Sequence, residues 1–414
     1  MNPADGGEQL SGYFDWAATA PPDRDLALES AELSLSVFGN PSSLHREGKR
    51  ARDKLEEARA RLALVMGVPA DTLYFTSGGT EANHLPLLAL LRRPRPAAVA
   101  VSAIEHPSVR EMAESLKAAG WRVDVVRSDS RGVVTPDAVL DAVAGDTALV
   151  CVMAANNETG AIQPVSGIAD ALASLRGRRP LLHVDCVQAA GKIPLALTRA
   201  GIDSAAFSAH KLGGARGSGL LYLAKPFSPF ARGGGQEGGI RSGTENLAGA
   251  WALSRCFERY YLSPEAERDN PAVYGRFLQA KEDAASFVAR LRAVPGCTLV
   301  PDMRGETDGS PDADALYSPW IVQAAFRDVP GQAFVRALDA KGFAVSTGAA
   351  CSLRRAGGTG ARPILAAMGV PEQVAANAVR FSFGHRSAPA DIDALLSAVR
   401  DTAAAFDVTC AAHG

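Results

Sequence analysis

The residues able to do chemistry in this chain gather just past short apolar runs. Lys211 follows the run at 204–207 and precedes glycines, within SAHKLGG (208–214). A lysine there is poorly placed for solvent and well placed for a cleft. Ser208 and His210 flank it with groups able to bind an anion. Such an amine suits a Schiff base with an aldehyde cofactor whose phosphate its neighbours hold. A lysine in an ordinary Gly-rich loop is the other reading, and so short a motif does not separate the two.

Further stretches repeat the pattern. FTSGGTEAN (75–83) joins a strand to a helix, and free N–H groups at the helix start, with the Thr80 hydroxyl, form an anion site or simply a capped turn. His106, in EHPSV (105–109), either stacks on an aromatic cofactor and shuttles protons or makes a local loop bond. Asn157, in NNETG (156–160), orients a ring substituent or a substrate carboxylate, or belongs to an Asn-rich turn. Asp185, in HVDCVQAAGK (183–192), ends a strand where burial is costly without a cation. A pyridinium nitrogen is such a cation, and an aspartate beside it keeps the ring protonated. Gln188 is three residues on, within reach of a ring hydroxyl. The plainer alternative is an aspartate capping the next turn.

Two more loops carry reactive or charged groups. GGGQEGGIRSGT (233–244) exposes backbone and reads as flexible, with Arg241, Ser242 and Thr244 pointing to a phosphate or interface role. Cys351, in STGAACS (346–352), sits among small residues with arginines nearby, which favours an accessible thiolate, although an incidental surface thiol reads the same way. Arg380 can clamp a substrate carboxylate with two hydrogen bonds or serve in a structural ion pair.

The elements that must position these groups alternate. Strands are expected at 73–76, 97–102, 122–126, 148–153, 181–184, 204–207 and 220–223, with helices between several of them, for example at 165–175. That is the pattern of a mostly parallel sheet covered on both faces, whose ligands bind beyond the carboxyl ends of the strands. A helix before them is marked by Ala51, Leu55, Ala58, Leu62 and Val65 at spacings of 4, 3, 4 and 3, closed by Gly67. After about Arg255 the character changes. A helix at 280–294, an acidic surface loop at 302–319, a strand at 321–326, a helix at 332–341, strands at 343–347 and up to 383, and a final helix at 390–406 read as a smaller α+β domain.

The chain has 414 residues, enough for two domains, and a formal net charge of −2, which does not favour nucleic acid. Its apolar runs are too short to span a bilayer. No signal peptide is evident near the first residue, so the expectation is a cytoplasmic protein. The six cysteines form no CxxC pair, so neither a metal site nor a disulfide framework is expected, and Cys151, Cys186 and Cys297 read as inert core residues.

Taken together, FGNPSS, FTSGGTEAN, EHPSV, NNETG, HVDCVQAAGK, SAHKLGG, GGGQEGGIRSGT, STGAACS and VRFSFGH closely resemble the motifs of the NifS/IscS-type cysteine desulfurases, class V aminotransferases of fold type I, in that family's order. The resemblance runs from about Asp15 to His385. It implies a pyridoxal 5'-phosphate homodimer with an N-terminal segment at 1–24 packing on the small domain, a large cofactor-binding domain at 25–258, and a small domain at 259–414 that carries the cysteine loop. It also implies roles. Lys211 carries the cofactor, Asp185 pairs with the pyridine nitrogen, Gln188 with the ring oxygen, and His106 stacks on the ring. Gly79, Thr80, Ser208 and His210 bind the phosphate, joined by Thr244 of the other subunit. Asn157 and Arg380 hold the substrate side, and Cys351 takes sulfur from L-cysteine as a persulfide for an acceptor such as an iron–sulfur scaffold. The pattern departs at Gly238, where many relatives have arginine, and in the Gly- and Arg-rich loop after Cys351. The other readings are a selenocysteine lyase or another class V aminotransferase-like enzyme, or a catalytically idle sulfur-assembly scaffold. Intact Lys211, Asp185 and Cys351 weigh against the last. A dinucleotide-binding dehydrogenase lacks its G-x-G-x-x-G between strand and helix.

Overall fold

The computed structural model describes residues 10–198, 200–304, 316–348 and 362–411. Cys351 and most of its loop therefore lie outside the described residues, as does the middle of the acidic stretch.

Seven strands form the main sheet: β1 (Leu73–Thr76), β2 (Ala98–Ser102), β3 (Arg122–Val126), β4 (Thr147–Met153), β5 (Leu181–Asp185), β6 (Ser204–Ser208) and β7 (Gly219–Leu223). Their order is β1-β7-β6-β5-β4-β2-β3. β2, β3, β4, β5 and β6 pair in parallel, while β7 runs antiparallel to both β6 and β1. Every residue of β2, β4 and β6 is buried, as expected of parallel strands covered by helices on both faces. β3 closes one edge and is half open, with Arg122 paired to Asp124 and Asp146 on its exposed side, a charged edge that discourages further pairing.

The chain leaves β2 for the edge strand β3, then returns to β4 on the other side of β2. Loops leaving β2 and β4 thus diverge at their carboxyl ends and open a crevice. His106 follows β2 and Asn157 follows β4, so both stand at that crevice. Asp185 ends β5, and Lys211 follows β6 after one short turn (Ala209–Lys211).

A second, antiparallel sheet of three strands, β8 (Cys297–Leu299), β9 (Ile321–Phe326) and β10 (Ala378–Ser382), has the order β10-β9-β8. Its separate core is aromatic: Phe287, Phe326, Phe334, Phe381 and Phe383 pack with Phe14 from the start of the chain. Phe14 and its neighbours are tied there by backbone bonds, Phe14 N–H to Ala344 and Ser382 N–H to Phe14, both at 2.8 Å.

Several sequence expectations need correction. Residues 343–347 do not form a strand, because Ala344 bridges to Tyr13 and Ser346 to Arg380, one rung each on different partners. The helix expected from 280 runs Pro271–Arg292. It starts earlier because Asn270 caps it, accepting from Val273 N–H at 3.3 Å, whereas Gly275 blurs the apolar period. Asp302 is exposed as expected, but the other described residues of the acidic stretch are not surface loop. Arg304 is buried and donates to the carbonyls of Thr159 (2.8 Å), Ser318 (3.0 Å) and Ile321. The loop at 233–244 is not free either. Glu237 is buried and accepts from Arg59 and from Phe75 N–H of β1, which pins the loop to the large sheet. Cys151 and Cys186 are buried, but Cys297 is only half-buried at the sheet edge, with its thiol still pushed up to about 12 by burial.

Candidate active site

A cavity of about 280 Å³ opens at the carboxyl ends of β2, β4, β5 and β6. Gly79, Thr80, His106, Asn157, Asp185, Gln188, Ser208, His210, Lys211 and Arg380 all line it, so residues up to 301 positions apart in sequence converge on one space. Thr244 does not line it. That residue is exposed, and Arg241 three positions earlier pairs with Glu81 at 3.1 Å rather than reaching the cavity.

One end of the cavity is an anion cradle. The helix Gly79–Leu90 begins there, and its first N–H groups have no intrahelical acceptor. Gly78 at its cap has φ of 152°, a conformation available to glycine alone. The backbone is also closely approached: a Cβ on Gly219 of β7 would lie 2.5 Å from Gly78 Cα. Ser208 at the end of β6 and His210 just beyond it line the same cavity. Burial lowers the His210 pKa to about 4, helped by Lys211, so its ring is neutral, and its Nδ1 lies 3.1 Å from Thr19 Oγ1.

At the centre, Asp185 is buried and held by two donors. Its Oδ2 accepts from Asn83 Nδ2 at 2.8 Å and its Oδ1 from Val187 N–H at 2.9 Å. Asn83 is the hub of a wider network. Its Nδ2 also donates to Ser108 Oγ at 2.9 Å, and its Oδ1 lies 3.0 Å from His183 Nε2. The Asn83 oxygen can only accept, so His183 carries its proton on Nε2, while Nδ1 accepts from Ser204 Oγ at 2.9 Å. Burial drops the His183 pKa to about 4, which keeps the ring neutral as this pattern requires.

His106 caps the helix Pro107–Ala118 through Nδ1, which accepts from Ser108 N–H at 3.1 Å and lies 2.8 Å from Ser108 Oγ. That leaves its proton on Nε2. Burial lowers its pKa, with Asp185 opposing and Lys211 assisting. Behind these residues Glu105 is fully buried. Burial pushes its carboxyl up to about 8, against donors from Ser102 Oγ and Met153 N–H, with the Asp185 charge adding to the rise.

Lys211 Nζ donates to the carbonyls of Ala17 (2.6 Å) and Ala18 (2.7 Å). The N-terminal segment thus supplies acceptors to the amine. Gln188 is shared: Nε2 donates to Ala17 O at 2.8 Å, and Oε1 accepts from Lys192 Nζ at 2.6 Å. Arg380 combines both readings given by its sequence. It is buried and faces the cavity, yet its guanidinium donates to Asn157 O and to Asp15 Oδ1, each at 2.7 Å, which is a structural ion pair. Among the described residues its Nε and the Asn157 Oδ1 are buried without a partner.

These observations test a fit to pyridoxal phosphate directly. The cavity offers a helix-start cradle for a phosphate, a buried carboxylate for a ring nitrogen, an amine for an aldehyde, and an orphaned amide oxygen on Asn157. The residues fit the group. Sequence reasoning missed Asn83, Ser108, His183, Glu105 and Lys192, together with the Ala17 and Ala18 carbonyls. His183 was accessible in principle, since it precedes Asp185 by two on one strand and therefore shares its face. Among the described residues no cluster of His, Cys, Asp and Glu is placed to hold a metal ion, and no helix is long and apolar enough to cross a membrane.

Fold and site together define a pyridoxal-phosphate enzyme of fold type I. The family model of class-V aminotransferases matches residues 12–395. A cysteine desulfurase of Cereibacter sphaeroides is 37% identical over 87% of each chain, and the cysteine desulfurase IscS of Methanosarcina thermophila is 30% identical over 95% of this chain and 92% of its own. A solved NifS-like protein superposes with a TM-score of 0.79 at 31% identity, covering 94% of this chain and 98% of that one. The chain belongs to the class-V aminotransferase family, within its NifS/IscS-type cysteine desulfurase group.

Proposed function

We propose that this protein converts L-cysteine to L-alanine and captures the sulfur as a persulfide on Cys351. The observation that supports it best is the convergence of Lys211, the Asn83-held Asp185 and the helix-start cradle on one cavity. Bound pyridoxal phosphate supplies an electron sink for the substrate α-carbon. Lys211 carries it and moves the α-proton at Nζ. Asp185 keeps the ring nitrogen protonated, and Gly79, Thr80, Ser208 and His210 hold the phosphate. Gln188 would donate to the ring oxygen, and His106, its proton on Nε2, would lie against the ring. Arg380 receives the substrate carboxylate with its Nε–H, which has no partner among the described residues, Asp15 fixes the guanidinium plane, and Asn157 lines the same side and turns its amide nitrogen to the carboxylate. The Cys351 thiolate attacks the substrate sulfur. An S–S bond forms as the C–S bond breaks, the electron pair stays on carbon, and a proton completes alanine.

The finer proposals extend this reading. The protein acts as a homodimer in which Thr244, exposed and outside its own cavity, completes the partner's phosphate site. The domains divide near residues 24 and 258. The sulfur passes to an acceptor such as an iron–sulfur scaffold. A cytoplasmic location accords with the free state of Cys151, Cys186, Cys256 and Cys297. The test is to incubate the pyridoxal-phosphate-loaded protein with L-cysteine and a thiol reductant and to assay both products. Equal amounts of sulfide and alanine are expected from the wild type and almost none from Cys351→Ala. Near wild-type sulfide release by Cys351→Ala would remove Cys351 from the role.

A further inference from the structure

The turn after β5 places a second lysine beside the site that none of the roles above uses. Lys192 is 7% exposed, and its amine donates to Gln188 Oε1 at 2.6 Å. Consecutive turns fold residues 186–193 back on themselves, with Ala190 N–H to Cys186 and Ile193 N–H to Ala189 at 3.0 Å each, and bring Lys192 to Gln188. These turns are pressed against the Lys211 turn. A Cβ on Gly191, whose φ is 69°, would lie 2.4 Å from Leu212 Cδ2 and 2.9 Å from the Tyr260 carbonyl oxygen, a backbone atom, so this position favours glycine.

A buried amine is costly unless it serves a partner. Among the described residues Lys192 is in no ion pair. Burial, with the Lys211 and Arg380 charges adding to it, lowers its pKa well below that of an ordinary lysine. What it offers Gln188 is a directed N–H donor 2.6 Å from Oε1.

That N–H settles an orientation. A carbonyl oxygen only accepts, so Gln188 must turn Nε2 toward Ala17 O, and Oε1 then faces Lys192. One Nε2 hydrogen goes to Ala17 O, the carbonyl that also receives Lys211 Nζ, and the other remains for the cavity. We propose that Lys192 is a positioning residue, holding the Gln188 amide so that its N–H side is presented to the cofactor's ring oxygen. The inference rests on the pyridoxal-phosphate reading of the cavity. Without Lys192 the Gln188 oxygen is buried and unpaired, and the amide is free to rotate away from both Ala17 and the ring.

The test uses the apo-protein of Lys192→Met, which keeps most of the side-chain volume and removes the amine, with Gln188→Met and the double variant. Pyridoxal phosphate affinity is expected to fall on the order of tenfold in Lys192→Met. The pH midpoint of the bound cofactor's absorbance change should move in the same direction as in Gln188→Met, and the double variant should be no worse than the more affected single one. A merely structural lysine would lower the melting temperature and leave that midpoint in place. Wild-type affinity and midpoint in Lys192→Met, or effects that add in the double variant, would overturn the assignment. Should Lys192→Met not fold, Lys192→Arg retains a donor and is expected to keep the wild-type midpoint; a folded Lys192→Arg with the midpoint of Gln188→Met would overturn the assignment equally. Wild-type apo-protein that takes up no pyridoxal phosphate would instead overturn the functional reading beneath it.

Discussion

Asn83 and Asp185 are joined by a 2.8 Å hydrogen bond from the amide of one to Oδ2 of the other, across 102 positions of sequence. The helix that starts the phosphate cradle thereby also fixes the carboxylate that meets the ring. Asn83→Ala would leave an Asp185 oxygen, the Ser108 hydroxyl and the His183 Nε2–H buried with one partner fewer. Each such group costs about 1–3 kcal/mol. The expected result is a protein unfolding at lower urea and an apo-protein that binds pyridoxal phosphate more weakly, by about tenfold or more. Urea titration and cofactor titration read the two effects separately, and unchanged cofactor affinity would contradict the linkage.

Glu105 gives a pH dependence of defined sign. Burial raises its pKa to about 8 in the folded chain, against about 4.5 when unfolded. Between those values the unfolded chain releases a proton that the folded chain keeps, so this group's contribution is full below about pH 4.5 and is lost as pH rises toward 8. Glu105→Gln removes that term. Its melting temperature relative to wild type should rise steadily from pH 5 to 8, a relative gain on the order of a few kcal/mol. A gap that stays constant across that range would show that Glu105 is not held protonated. His183 works in the opposite sense: its pKa falls to about 4 on folding, so its contribution is present above about 6.5 and lost as pH falls toward 4.

Glu237 joins three elements in the loop at 233–244. It accepts from Arg59 NH2 at 2.7 Å and Arg59 NH1 at 2.8 Å, while Oε2 also takes Phe75 N–H at 2.7 Å. Glu237→Ala strands the Arg59 charge beneath the sheet with only Glu56 and a carbonyl to receive it. A loss of about 3–5 kcal/mol in unfolding free energy is expected, visible as a large drop in the chemical denaturation midpoint. A change within about 0.5 kcal/mol would mean the pair is no more than a surface contact.

The main sheet was legible because its strands are short apolar runs with turn formers between them, and the groups facing the cavity stand where those runs end. Lys211, Asp185 and His106 could be found on that basis, and the cavity brings all three together. What the sequence concealed was partnership across distance. Nothing near Arg380 shows that Asp15, 365 positions away, engages its guanidinium, and nothing near Gln188 shows that Ala17 and Lys192 divide its amide between them. Arg304 misled because acidic, Gly-rich surroundings imply solvent, whereas three backbone carbonyls enclose its side chain. Residues 343–347 misled because apolar alternation marks a strand only when a continuous partner exists.

The central claim, that this cavity holds pyridoxal phosphate on Lys211, is tested most directly by borohydride reduction of the purified yellow protein followed by peptide mapping. The reduced adduct is expected on the peptide containing Lys211, and Lys211→Ala should yield no such adduct. An adduct on Lys192 or any other lysine, or wild-type protein that stays colourless and unlabelled after incubation with pyridoxal phosphate, would contradict it.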